Sequence, residues 1–267
     1  MKKIKTMKLL LLLLLVATLV AGCSNSETTS ETPSKSPAEE KTNYVMGLDD
    51  TFAPMGFRDE KGELVGFDVD LATEVSKRLG ITIEFQPIDW SMKETELNAG
   101  NIDFIWNGYS VTDERKEKVA FSDAYLENSQ IIVVLADSEV ELKTDLTGKN
   151  VAVQAESSAL DAINAEPEFV ESVNELVEFS TNNEAFIDLE VGRSDALVVD
   201  EVLARFYMKQ KGQEKYRVLE EDFGDEKYAV GLRKDDAELL EKLNAALKDM
   251  KNDGTYDDIY AKWFSEN

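Results

Sequence analysis

Residues 107–122 read NGYSVTDERKEKVAFS and form the segment around which the predicted fold is organised. An apolar run at 104–106 ends in a turn at Asn107 and Gly108, as at the end of a strand. Thr112 has the position of a helix N-cap, because two acidic residues follow it in the first helical turn. The segment therefore predicts a strand, a turn and a helix start in close succession.

Two side chains of this segment indicate a binding site for a carboxylate. Ser110 lies in the predicted loop, and Arg115 lies inside the first turn of the predicted helix. A guanidinium group pairs with a carboxylate through two parallel charge-assisted hydrogen bonds, and the loop hydroxyl and amides supply further donors. The alternative is a plain helix cap, in which Arg115 is solvated among Lys116 and Lys118.

Strand and helix patterns alternate along the rest of the chain. The predicted strands are 44–48, 81–85, 103–106, 131–135, 149–153, 176–179, 196–199 and 228–232. The clearest predicted helices are 68–79, ended by Gly80, then 93–99, 181–191 with a capping box at its start, 236–250 and 256–264. This alternation predicts an α/β fold.

A weak internal repeat divides the predicted fold into two similar halves. Residues 100–103 (GNID) and 192–195 (GRSD) both follow a predicted helix and precede an apolar strand. Two similar α/β halves place their strand ends and helix starts at a shared crevice, where ligands usually bind. We assign Asp103 and Asp195 to the turns rather than to ligand binding.

The N-terminal segment has the layout of a secretory signal. Lys2, Lys3, Lys5 and Lys8 precede an apolar run at 9–21, which is too short to span a bilayer comfortably. The run ends in LVAGC at 19–23, which resembles the lipobox of bacterial lipoproteins, where the cysteine is lipidated. We predict a signal peptide over 1–22 and an acyl anchor, such as palmitate, on Cys23. An uncleaved membrane anchor is the alternative.

The segment after Cys23 has a composition that does not support a folded core. Residues 24–42 are rich in Ser, Thr, Glu and Pro and have no aromatic or large aliphatic side chain. Such a segment buries too little apolar surface to offset its ordering entropy. We therefore predict a lipidated cysteine and flexible tether over 23–42, and a body held outside the cytoplasm at the cell membrane.

Composition excludes several classes of function. The chain has a net charge of −25, which argues against nucleic acid or anionic lipid as a ligand. It contains no histidine, and Cys23 is its only cysteine, so imidazole or thiolate metal sites and histidine-based catalysis are excluded. We predict neither a metal nor a cofactor.

Residues 43–264 resemble the polar amino acid binding proteins of bacterial ABC importers, the extracellular solute-binding proteins of family 3. The resemblance rests on LVGFDVDLATEVSKRLG at 64–80, GYSVTDERKEKVAFS at 108–122, GKNVAVQAESS at 148–158, GRSDAL at 192–197 and DGTYDDIYAKWF at 253–264. It implies a two-lobed, type II periplasmic-binding-protein-like fold with the ligand cleft between the lobes. Lobe 1 would comprise 43–128 plus 227–267, and lobe 2 would comprise 129–226.

The resemblance also implies which residues bind the ligand. By the match to this family, the guanidinium of Arg115 would pair with the ligand's α-carboxylate, and Ser110 would add main-chain and hydroxyl donors. Ser158, at a helix N-terminus, helps to hold the carboxylate from lobe 2. The Gly108 carbonyl and the Asp200 carboxylate take the α-ammonium group.

Three further positions match those that meet the ligand side chain, namely Asp49, Phe52 and Trp90. Each assignment has a structural alternative. Asp200 can instead cap the helix that follows it, the two rings can belong to the core, and Asp49 can form a solvated pair with Asp50. Glu156 stands where many relatives have glycine, which leaves the side-chain specificity open.

These observations predict a monomeric binding protein rather than an enzyme. It would bind a polar or cationic amino acid of the glutamine, arginine, lysine or histidine class and deliver it to an ABC permease with its ATPase. The alternatives are a dehydratase of the same fold, which needs an acid in the cleft, and an amino acid sensor lipoprotein that does not transport.

Overall fold

The computed structural model describes residues 41–265. The predicted signal peptide (1–22), Cys23 and the tether up to residue 40 lie outside the described residues. No helix within 41–265 is long and apolar enough to cross a membrane.

The described part of the chain alternates between strands and helices, as predicted. Its strands are β1 (Asn43–Leu48), β2 (Thr51–Phe52), β3 (Gly56–Arg58), β4 (Leu64–Val65), β5 (Thr82–Pro87), β6 (Phe104–Ile105), β7 (Ala120–Phe121), β8 (Leu126–Leu135), β9 (Asn150–Gln154), β10 (Glu175–Phe179), β11 (Ala196–Asp200), β12 (Tyr216–Tyr228) and β13 (Gly231–Leu232). Its α-helices are α1 (Phe67–Leu79), α2 (Lys93–Ala99), α3 (Asp113–Lys118), α4 (Ser158–Asn164), α5 (Pro167–Ser172), α6 (Asn182–Glu190), α7 (Glu201–Lys211), α8 (Ala237–Asp253) and α9 (Thr255–Phe264).

Two mixed five-stranded sheets form the centres of two lobes. The first has the order β5-β1-β6-β13-β7 and the second has the order β10-β9-β11-β8-β12. In the first sheet β1 runs parallel to β5 and β6, and in the second β9 runs parallel to β10 and β11. The predicted α/β class with two similar halves is confirmed.

Helix ends lie where local sequence signals place them. Gly80 adopts the left-handed conformation after α1, with φ of 65°, and its N–H bonds back to the last helical turn. The Thr112 side chain accepts the N–H of Arg115 at the start of α3. Thr181 and Glu184 form a capping box at the start of α6, which satisfies two main-chain donors reciprocally. These predictions are confirmed, because each depends on neighbouring residues alone.

The repeated aspartates anchor β1 of the first sheet and β9 of the second in the same way. Asp103 accepts the Val45 N–H through its side chain at 2.9 Å and donates its own N–H to the Val45 carbonyl at 2.7 Å. Asp195 does the same with Asn150, at 2.9 and 2.8 Å. Both carboxylates therefore serve the turns, as predicted.

A two-stranded ribbon, formed by β8 and β12, leads from the first lobe into the second. Leu126 lies opposite Tyr228 and Asn128 lies opposite Glu226, with register shifts further along β12 between Val218 and Asp225. β8 begins five residues before the predicted strand 131–135, and β12 shares only Tyr228 with the predicted strand 228–232, whose end corresponds to β13. The polar residues of this ribbon pair through the main chain and give no apolar signal in the sequence. The predicted lobe limits, at residues 128 and 226, fall within this ribbon.

Candidate functional site

Arg115 is buried between the lobes and fixed by several contacts. Its guanidinium carbon lies 4.7 Å from the centre of the Tyr109 ring, within cation–π distance. One guanidinium nitrogen donates to the Ser110 carbonyl at 3.2 Å and another to the Glu156 carbonyl at 3.3 Å. Asp161 of α4 lies 3.8 Å away. The prediction of a solvated Arg115 is therefore wrong, and the side chain is oriented towards lobe 2.

Two serine hydroxyls join the lobes beside this arginine. Ser158, the first residue of α4, donates its hydroxyl to the Ser110 Oγ at 3.0 Å. Both residues are buried, Ser110 completely. Free N–H groups at a helix start favour an anion, so the hydroxyl pair and Arg115 together form a donor-rich region from both lobes.

Asp200 ends β11 on the opposite lobe from Arg115. Its Oδ1 accepts from Tyr228 Oη at 2.6 Å, Asn128 Nδ2 at 2.8 Å and Gln130 Nε2 at 2.9 Å. It precedes α7 but makes no side-chain cap bond to that helix, so the helix-cap alternative is wrong. Burial, followed by the nearby Glu226 carboxylate, raises the pKa of Asp200 well above the ordinary aspartate range.

Glu226 of β12 also lies in this region, and the sequence analysis missed it. Its Oε1 is 2.7 Å from Ser110 Oγ, Asn128 Nδ2 and Gln130 Nε2, and 3.3 Å from Ser158 Oγ. The sequence signal that could have found it is its position two residues before Tyr228, since residues i and i+2 of a strand share a face. The predicted strand began too late to include it.

Asp49 follows β1 and faces lobe 2. It is buried, its Oδ1 accepts the Thr51 N–H and hydroxyl, and its Oδ2 accepts Gln154 Nε2 at 3.1 Å. Gln154 in turn accepts Asn182 Nδ2 at 2.9 Å. Burial raises the pKa of Asp49, against the lowering effect of its Thr51 bonds. The solvated-pair alternative is therefore wrong for Asp49.

The structure places the two predicted rings in different surroundings. A Cβ at Gly108 would meet the Phe52 ring at 2.8 Å and the Tyr228 ring at 3.1 Å, so Phe52 lies beside the predicted ammonium position. Trp90 instead packs edge-on against Tyr109, at 5.9 Å between ring centres, within an apolar cluster. Tyr109 therefore contacts both Trp90 and Arg115.

Lys93 is a second buried cation between the lobes that the sequence analysis missed. Only 1% of Lys93 is exposed, and its Nζ donates to the Glu156 carbonyl at 2.8 Å. Burial and then the charge of Arg115 lower its pKa to about 8. Glu156 has a φ of 54°, the left-handed conformation that favours glycine.

The main chain at Gly108 is hydrogen-bonded to a buried acid. Its N–H donates to Asp68 Oδ2 at 2.7 Å, and the Tyr125 hydroxyl donates to the same oxygen at 2.9 Å. Asp68 is fully buried, and this burial raises its pKa to about 7. Asp68 therefore fixes the position of the Gly108 peptide.

Comparison with known proteins places this arrangement in a family. The model of the bacterial extracellular solute-binding proteins, family 3, matches residues 44–266. The chain is 35% identical over 229 residues to the lysine/arginine/ornithine-binding periplasmic protein of Escherichia coli (strain K12), covering 83% of this chain and 87% of that protein. It is 31% identical over an alignment of 277 residues to the ABC transporter glutamine-binding protein GlnH of Bacillus subtilis (strain 168), covering 100% of this chain and 99% of GlnH.

A solved structure gives the same result. The chain is similar to a substrate-binding protein of an ABC uptake transporter from Streptococcus pneumoniae with bound histidine, at 44% identity and a TM-score of 0.82. The match covers 84% of this chain and 93% of that one. The predicted two-lobed, type II fold is confirmed, and the chain belongs to the bacterial extracellular solute-binding proteins of family 3.

Proposed function

We propose that this protein binds a polar or cationic amino acid between its lobes and delivers it to an ABC importer. The observation that carries the proposal is the presence of opposite charges on opposite lobes. Arg115 and Asp200 lie on either side of the Ser110–Ser158 hydroxyl contact. A zwitterion that leaves water needs both of its charges paired, so closure of the lobes depends on the ligand.

The binding roles follow from this arrangement. Arg115, Ser110 and the start of α4 at Ser158 hold the α-carboxylate. Asp200 and the Gly108 carbonyl hold the α-ammonium group. These groups recognise what all α-amino acids share, so they set affinity rather than side-chain preference.

The preference for one ligand side chain over another is set by Asp49, Phe52 and Trp90. The Asp49 carboxylate is buried and hydrogen-bonded to the Gln154 amide, which suits a side chain with N–H donors. A cationic group would also neutralise a carboxylate whose burial disfavours its charge. This chemistry favours glutamine, arginine, lysine or histidine, in line with what the named relatives bind.

The proposal extends to the location and assembly of the protein. A lipid at Cys23 anchors it outside the cytoplasm, the tether 23–42 spaces it from the membrane, and it docks as a monomer on a permease whose ATPase drives uptake. Lobe 1 comprises 43–128 plus 227–267, and lobe 2 comprises 129–226. Incorporation of radiolabelled palmitate that disappears in Cys23→Ser tests the anchor.

A dehydratase remains the competing function because Glu226 brings an acid into the cleft. Its Oε1 lies 2.7 Å from Ser110 Oγ, where it is able to protonate a bound substrate. Turnover of prephenate that is lost in Glu226→Gln would favour the enzyme. We expect no turnover, since Glu226 is already bonded to four protein groups, which hold it away from a substrate.

A thermal-shift screen tests the proposed function. The protein is denatured, refolded to remove carried ligand, and heated with each standard amino acid, cystine or ornithine. A ligand that binds only the folded state raises the melting temperature. We expect a large shift for one or two polar amino acids and its loss in Asp200→Asn. Equal melting temperatures with every amino acid would contradict the proposal.

A further inference from the structure

Asp200 and Glu226 form a carboxylate pair that shares its hydrogen-bond donors. Asn128 Nδ2 lies 2.8 Å from Asp200 Oδ1 and 2.7 Å from Glu226 Oε1. Gln130 Nε2 lies 2.9 Å from the first oxygen and 2.7 Å from the second. Two oxygens within bonding distance of the same two nitrogens lie side by side, so the pair brings two acids together at the buried junction of the lobes.

The charged and titratable groups around the carboxylate pair, among the residues that the structure describes, stay neutral or bond elsewhere. Tyr228 donates to Asp200, and burial raises the pKa of its hydroxyl well above the ordinary range, so Tyr228 stays a neutral donor. Arg115 directs its bonds to the Ser110 and Glu156 carbonyls and lies near Asp161, an acid of α4.

The remaining charged neighbours have other partners. Lys93 of the facing lobe donates to the Glu156 carbonyl. Glu201, next to Asp200, pairs with Arg205, and Asp225, next to Glu226, accepts the Ser129 hydroxyl.

Two adjacent carboxylates, of which Asp200 is buried and Glu226 is half-buried, resist ionising together without a cation, because each raises the free energy of the other's charged form. The repulsion between the two negative charges is relieved either by one shared proton, as in other carboxylate dyads, or by a bound cation. Burial and the charge of Glu226 both raise the pKa of Asp200, in agreement with a retained proton.

We propose that Asp200 and Glu226 hold one proton between them in the ligand-free protein, and that the ligand's α-ammonium group replaces it. This inference rests on the proposed function and adds Glu226 to the groups that bind the ammonium. The proton passes to solvent, and the ammonium keeps its own hydrogens and donates them to the two carboxylates. Binding therefore releases a proton, and a ligand lacking an ammonium group does not bring about the exchange.

A route for the released proton opens beside Glu226. A cavity of about 260 Å³ has Glu226, Thr112, Gln130, Ser158, Asp161 and Asp225 in its wall. The hydroxyls and acids of this wall accept and donate protons, so the carboxylate pair communicates with solvent on this side.

Isothermal titration calorimetry with L-glutamine and with L-arginine, in buffers of different ionisation enthalpy, measures the proton. At a pH below the pKa of the pair, the heats should differ between buffers in proportion to about one proton released per ligand. Under the same conditions affinity should fall about tenfold for each unit that the pH is lowered. Glu226→Gln should bind about tenfold or more weakly at alkaline pH, through loss of a charge-assisted contact, and should release clearly less than the wild-type proton, since only burial then raises the pKa of Asp200.

The matched control is Glu127→Gln, which removes a neighbouring acid that pairs with Lys227 at the exposed side of the ribbon. It should release the same proton as the wild type. Heats that do not depend on the buffer in the wild type, or proton release by Glu226→Gln equal to that of the wild type, would overturn the inference.

A ligand-free measurement separates this inference from the proposed function. A pair that retains a proton in the folded state loses stability as pH rises, since the unfolded chain releases that proton earlier. The melting temperature of the wild type should therefore fall more steeply with pH than that of Glu226→Gln or Asp200→Asn. If neither amino acid binds and the slopes still differ, the proton is shared but the proposed function is wrong. Parallel slopes refute the shared proton whatever binds.

Discussion

Replacing Arg115 with methionine should weaken amino acid binding by about 3–5 kcal/mol, because it leaves the ligand's carboxylate without its buried partner. Only 3% of Arg115 is exposed, so water cannot take its place. Two of the five guanidinium N–H groups serve the Ser110 and Glu156 carbonyls, which leaves the others for a ligand. Two hydrogen bonds between charged groups contribute about 1.5–3 kcal/mol each, which agrees with the total. The dissociation constant should rise by at least about a hundredfold.

Calorimetry on a set of variants isolates this effect. Arg115→Lys keeps the charge but loses the fork, so its affinity should lie between those of the wild type and Arg115→Met. Lys116→Met removes an exposed cation of the same helix, which pairs with Asp113, and should bind normally. Melting temperatures measured without ligand show how much stability each variant loses with the stacking of Arg115 on Tyr109. Wild-type affinity in a folded Arg115→Met would refute the reasoning.

Three further changes test the site and its support. Lys93→Met should weaken binding about tenfold in calorimetry, because it removes the 2.8 Å bond by which one lobe holds the Glu156 carbonyl of the other. Gly108→Ala should lower both thermal stability and affinity, since its Cβ would meet Phe52 at 2.8 Å, whereas Gly192→Ala, with a φ of 72° and open space, should lose only about 1–2 kcal/mol of stability. In the wild type, the free energy of unfolding should fall as the pH rises from the ordinary carboxyl range to about 7, because the folded state keeps the Asp68 proton that the unfolded chain has released. This fall should be absent in Asp68→Asn.

Each of these has a contradicting result. Unchanged affinity in Lys93→Met would mean that the contact between lobes does not contribute to closure. Equal losses in the two glycine variants would mean that the Phe52 ring moves aside. A wild-type and an Asp68→Asn stability profile of the same shape would mean that Asp68 titrates as an exposed acid.

Features with local causes could be predicted from the sequence. The Thr112 cap, the Gly80 helix end and the Thr181 capping box depend on residues within one helical turn. The Asp103 and Asp195 turns could be assigned because the same four-residue pattern occurs twice. The residues of the candidate site were reached through the family resemblance, and the structure brings Arg115, Ser110, Ser158 and Asp200 together.

The remaining features depend on contacts that are distant in sequence. Glu226 reaches Ser110 across 116 positions, and Lys93 reaches Glu156 across 63. In sequence both look like ordinary solvated charges, and only the approach of the two lobes buries Lys93 and brings Glu226 to Ser110. Trp90, which the resemblance places beside the ligand side chain, also packs against Tyr109, a contact that the sequence did not indicate.

The ribbon of β8 and β12 has a mechanical consequence for this protein. Glu226 and Asn128 face each other across it, so two groups of the candidate site belong to the element that joins the lobes. A paired ribbon resists shear within its plane but bends and twists more easily out of it. A change of charge at Glu226 therefore acts on the connection between the lobes itself, through the bond to Asn128 on the opposite strand.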